Sequence, residues 1–72
     1  MAPTMIPTPQ SSSVRAIGYE PRTRELHIRW DSGTYAYAAV PAVVWAELRA
    51  ADSKGQYVNT RVKGVFAHRK VA

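Results

Sequence analysis

Ser53-Lys54-Gly55 is the stretch of this chain whose residue types best suit binding chemistry. A serine ahead of a short helix can cap it, and the free N–H groups of that first turn carry a partial positive charge that attracts anions. Gly55 would let a phosphate approach the backbone closely, and Lys54 would add a full charge beside it. Asn59, Arg61 and Lys63 follow as further phosphate contacts, and Arg69 and Lys70 extend the same basic stretch. The local alternative is that Ser53 only caps the helix while Lys54 stands in solvent. The charge balance favours a polyanion. The formal net charge is +5, but through Asp52 five arginines (15, 22, 24, 29 and 49) are matched by five acids (Glu20, Glu25, Asp31, Glu47 and Asp52). From Ser53 onward there are Lys54, Arg61, Lys63, Arg69 and Lys70, with no acid at all. Such clustering is the electrostatic footprint of nucleic-acid binding.

The second candidate is Tyr35 and Tyr37 in GTYAYAAVP. Two residues apart in an extended chain, they share a side of a strand. The turn before them decides which side. A two-residue turn at Ser32-Gly33 sets Trp30 opposite Tyr35 and Ile28 opposite Tyr37, so both tyrosines join the core. A three-residue loop, Asp31 to Gly33, slips the register by one and sends them to the side of His27 and Arg29. That second arrangement would make a base-stacking face, but it leaves only Ala36 and Ala38 to fill the core. Volume favours the first arrangement, in which the hydroxyls reach the rim.

Other chemistry lacks its residues. There is no cysteine, and His27 and His68 have no company at metal-ligand spacing, so neither a zinc site nor any other cofactor is expected. No serine sits in a nucleophile elbow, no glycine loop has Walker spacing, and the carboxylates are not paired. The expectation is a binding module rather than an enzyme. MAPTMIPTPQSSS has neither the basic flank nor the apolar block of a signal peptide, so a cytoplasmic protein without membrane contact is expected.

These candidates need elements to hold them. Residues 1–12, with Pro3, Pro7 and Pro9 among serines and threonines, read as a disordered tail, leaving residues 13–72 as a single domain. SVRAIGYE is a first strand, and Pro21 to Arg24 a turn. ELHIRW alternates, with Leu26, Ile28 and Trp30 on one side. TYAYAAV is the returning strand. Pro41 opens a helix over AVVWAELRAA, with Val44, Leu48 and Ala51 on one face and Trp45 beside them. Ser53 and Gln56 form a capping box for a second helix that runs through Lys63 and stops at Gly64. VFAHRKV is extended and able to join the sheet. The architecture expected is α+β: a small antiparallel sheet of three or four strands with two short helices on one face.

In this order and spacing, IGY, L-x-I-x-W, YAY, VP and A-x-SKG-x-YVN-x-x-V resemble the KTSC domain, over about Ser13 to Val71. That family is named for the C-terminus of some lysyl-tRNA synthetases and also occurs as small stand-alone bacterial proteins. The resemblance matches Tyr35 and Tyr37 to its Y-x-Y signature and Ser53 and Gly55 to its S-x-G stretch, and it implies RNA binding. The expected function is an RNA-binding accessory module, with tRNA among its targets, that grips phosphates through the basic C-terminal third. A helix-turn-helix reading for DNA is weaker because the second helix is short. The alternative is a protein–protein interaction module with no nucleic-acid role.

Overall fold

The computed structural model describes residues 3–11 and 13–72. Five strands form one antiparallel sheet in chain order: β1 (Ile6–Pro7), β2 (Val14–Glu20), β3 (Glu25–Trp30), β4 (Gly33–Tyr37) and β5 (His68–Lys70). Helices α1 (Ala42–Ala50) and α2 (Lys54–Arg61) lie between β4 and β5 in sequence. The α+β class is as expected, with one strand more than the upper count. Among the described residues no helix is long and apolar enough to cross a membrane.

The central hairpin forms because ELHIRW has the period of a half-buried strand. Its turn differs from both arrangements considered from the sequence. Trp30 pairs with Gly33, so Asp31-Ser32 is the two-residue turn, and Ile28 faces Tyr35 while Leu26 faces Tyr37. Relative to the Ser32-Gly33 turn, every pair has slid by two residues. A slide of two preserves the face of each side chain, whereas a slide of one would invert it. Tyr35 and Tyr37 therefore do lie on the side of Leu26, Ile28 and Trp30. Gly33 is the residue that permits this turn. Its φ is +141°, and a Cβ there would stand 2.6 Å from the main-chain oxygen of Ala72. The strand ends earlier than expected, because Ala39 takes a left-handed φ of 57° before Val40 is buried.

Pro41 caps α1 rather than opening it, with extended backbone. Leu48 is the buried residue of α1, and Val44 and Trp45 pack beside it on the core. The Trp45 ring stacks on Tyr19 at 5.7 Å, and Tyr19 in turn donates its hydroxyl to the Val40 carbonyl at 2.6 Å. α2 ends at Arg61, short of the expected Lys63; Val58 and, at the C-cap, Val62 are in the core, and Gly64, at φ +77°, lies in the turn that follows. Val14, Ile17, Leu26, Ile28, Tyr37, Val40, Leu48, Val58 and Val62 make one cluster between the sheet and both helices. Burying each such side chain stabilises the fold by roughly 1.5–3 kcal/mol.

Residues before 13 were expected to have no regular structure; residues 6–7 instead form β1, paired with Ala16 and Ile17 of β2. Three further bonds hold the segment: Thr8 donates its N–H to Arg15 (3.0 Å) and its hydroxyl to Val14 (2.6 Å), and the Ser11 hydroxyl accepts from the Val14 N–H (3.0 Å). Residues 1, 2 and 12 of the expected tail lie outside the described residues. Gly18 shows that the segment is fitted to the sheet. A Cβ at that position would lie 2.7 Å from the Met5 sulfur and 2.9 Å from the Thr4 carbonyl oxygen.

Candidate nucleic-acid interface

The sheet has two faces, and the register assigns residues to each. Ile17, Ile28, Tyr35 and Lys70 form one row on the helix side, with Tyr19, Leu26, Tyr37 and His68 in the next. Gly18, His27, Ala36 and Arg69 form a row on the other side. The helices close the helix side over β2, where Gly55 meets Ser13 and Trp45 meets Tyr19. Toward β5 that side is open, and Trp30, Ser32, Tyr35, Tyr37, Lys63 and His68 line a depression of about 420 Å³.

Each wall has a different origin. Tyr37 is buried and forms the floor; burial pushes its hydroxyl pKa up, partly opposed by the nearby Trp30 indole. Tyr35 and Trp30 are half-buried, so both rings keep accessible surface. His68 sits with its ring centre 5.9 Å from that of Tyr35 and 5.4 Å from that of Tyr37. Lys63 arrives from above: α2 ends with the Val62 and Lys63 N–H groups both bonded to the Val58 carbonyl. Its ammonium lies 4.5 Å from the centre of the Trp30 ring. That separation is a cation–π contact. Among the described residues no carboxylate side chain lines the depression; its one cationic lining group is the Lys63 ammonium, and its walls are aromatic.

The residues expected to bind phosphate are not one surface. Ser53 caps α2, its hydroxyl accepting from the Gln56 N–H at 3.2 Å. The Lys54 ammonium is turned inward and donates to the carbonyls of Arg49 (2.8 Å) and Ala51 (2.7 Å), at the end of α1. Gly55 is buried, its Cα close enough to Ser13 that a Cβ would be 2.5 Å from that hydroxyl. Ser53, Gly55 and Asn59 share a separate hollow with Asp52, whose carboxylate opposes an anion there. Arg61 is exposed on the last turn of α2. Arg69 projects from the other face and donates to Glu25 at 2.9 Å. Of the expected cations only Lys63 lines the depression, with Lys70 exposed on the same face, leaning over Gly33.

Trp30 and His68 are binding candidates that the sequence reading missed, having assigned Trp30 to the core and His68 to no role. A signal existed for one of them. Trp30 ends its strand beside a turn, where a core-facing side chain sits at the margin of the core. His68 and Lys63 reach the site only through tertiary pairing, which no local pattern reports.

Elsewhere the carboxylates of Glu25 and Glu47 are engaged by neighbouring side chains. Glu25 accepts from Arg69 and, at 3.1 Å, from the buried His27, and those bonds hold its carboxyl below the usual range. Tyr57 donates to Glu47 at 2.6 Å, tying α2 to α1; burial first, then that carboxylate, pushes its pKa up to about 12.

Comparison with known proteins bears on the family and the fold. The KTSC domain family matches residues 10–66. A lysine–tRNA ligase of Nostoc sp. (strain PCC 7120) is 42% identical over 65 residues, covering 89% of this chain but 12% of the ligase. The chain thus spans about an eighth of the length of that relative. A small protein of Tsukamurella paurometabola is 43% identical over 58 residues, 79% of this chain and 87% of its own length. The crystal structure of a KTSC domain protein from Yersinia pestis superposes with a TM-score of 0.93 at 36% identity, covering 99% of this chain and 100% of that one.

Proposed function

This chain belongs to the KTSC domain family, and from that premise we propose that it is an RNA-binding accessory module, with tRNA the first RNA to test. One observation carries the reading: an ammonium, an imidazole and two accessible aromatic rings converge on a depression that, among the described residues, no carboxylate side chain lines. Affinity comes from phosphate contacts by Lys63 and Lys70, supported by Arg61, and from ring contacts by Trp30 and Tyr35. The occurrence of this domain in ligases named for lysine and tRNA supports the choice of RNA. The module binds and does not react.

The test is a titration with tRNA and with an unrelated RNA at several salt concentrations. Binding that weakens steeply with salt is expected. The double charge reversal Lys63→Glu with Lys70→Glu should lower affinity more than tenfold and reduce the salt slope by about two. No binding at low salt would end this reading and leave a protein-interaction role, for which the open β5 edge is the natural surface.

A further inference from the structure

Resting on the RNA reading, we infer that the depression receives one unpaired nucleotide, and that Lys63 is exchanged from the Trp30 ring to its phosphate when the base arrives. Size sets the first half of the inference. A volume of about 420 Å³ lies within the roughly 300–1,000 Å³ of small-ligand sites. A duplex, with its bases stacked inside, cannot enter; a base splayed from a loop or single strand can. Position sets the second half. Trp30 is the diagonal neighbour of Tyr35 across the hairpin, since Trp30 pairs with Gly33 and Tyr35 is two residues on. The exposed face of Trp30 is covered by the Lys63 ammonium, at 4.5 Å from the ring centre. A base stacking on that ring displaces the ammonium, and the lysine stem leaves it beside the nucleotide's phosphate. His68, exposed and in contact with both tyrosines, closes the opposite wall with a second polar contact. The cation therefore screens the ring until a ligand offers both a π-face and a negative charge.

The experiment uses the full chain with Trp45→Phe, so that Trp30 alone reports fluorescence. Three probes are titrated: a ~8-nucleotide single-stranded RNA, the duplex of the same sequence, and the single strand carrying an abasic site. Binding and Trp30 quenching by the intact single strand, with weak binding by the duplex, are expected. Tyr35→Leu, checked for folding by its thermal melt, should weaken binding roughly ten- to hundredfold, while Tyr35→Phe stays close to the parent. Lys63→Met should lower the salt slope by about one and leave the quenching in place. Equal binding of duplex and single strand with unchanged Trp30 emission would overturn the nucleotide pocket but not RNA binding. Loss of affinity in Tyr35→Phe as large as in Tyr35→Leu would also overturn it, since stacking needs only the ring. No RNA bound at all would remove both.

Discussion

The start of α2 and the open end of the sheet began as rivals for the same function, and the structure spends their residues in opposite ways. At α2, residues with binding chemistry are consumed by the fold: Ser53 caps its helix, Lys54 closes the carbonyls of α1, and Gly55 makes room for Ser13. Toward β5, residues with core chemistry are left in part to solvent: Trp30 and Tyr35 extend beyond the helices, and Lys63 lies across one of them. A charge counts toward binding only after its internal partners are known. An aromatic counts toward the core only as far as something covers it.

The sharpest way to break the contrast is to disturb what shapes the open end. Gly33→Ala forces a Cβ onto the main-chain oxygen of Ala72 and into a backbone conformation L-residues avoid. The expected cost is on the order of 2–4 kcal/mol, read as a lower urea midpoint, with RNA affinity falling in parallel because Lys70 and Tyr35 flank that turn. Unchanged affinity would detach the depression from its turn.

A paired substitution sharpens it. Lys54→Met removes two bonds to carbonyls at the end of α1 and should cost about 1 kcal/mol of stability, leaving RNA affinity as it was. Lys63→Met removes one exposed cation–π contact, worth about 0.5–1 kcal/mol or less, but should weaken RNA binding several-fold. Thermal melts and titrations on both variants give the crossed result if the two lysines have the opposite roles assigned here.

The crossing also explains what could be read from sequence. The β3–β4 hairpin, both helices, the Ser53 cap and Gly64 were legible because each is announced by residues within a turn or two. The turn was misplaced by one residue, yet the faces survived because the resulting slide was two. β1 was illegible: Ile6 and Pro7 carry no strand period, and the segment is held by Thr8 and Ser11 reaching β2. The Lys63–Trp30 contact spans the whole of β4, α1 and α2, so the depression is a product of tertiary packing alone. Tyr35 and Tyr37 both take the core side weighed for them, Tyr37 buried as the floor of the depression and Tyr35 half-buried as its wall.

The smallest expected effect tests the face of the sheet opposite the helices. Glu25 is held ionised by Arg69 and His27, so its folded pKa lies below its unfolded value. The sign follows: the stabilisation is complete above the unfolded carboxylate pKa, near 4.3, and is lost as pH falls through the folded value. Glu25→Gln should therefore lower the melting temperature at pH 7, by an amount equivalent to at most about 1 kcal/mol because Arg69 is largely exposed. The gap to the parent should narrow below about pH 5 and close once both states are protonated. RNA affinity should not change, although the substitution frees Arg69 from its carboxylate. A gain in affinity would mean that the freed cation reaches the ligand, and the binding surface would then have to wrap the β5 edge onto the second face.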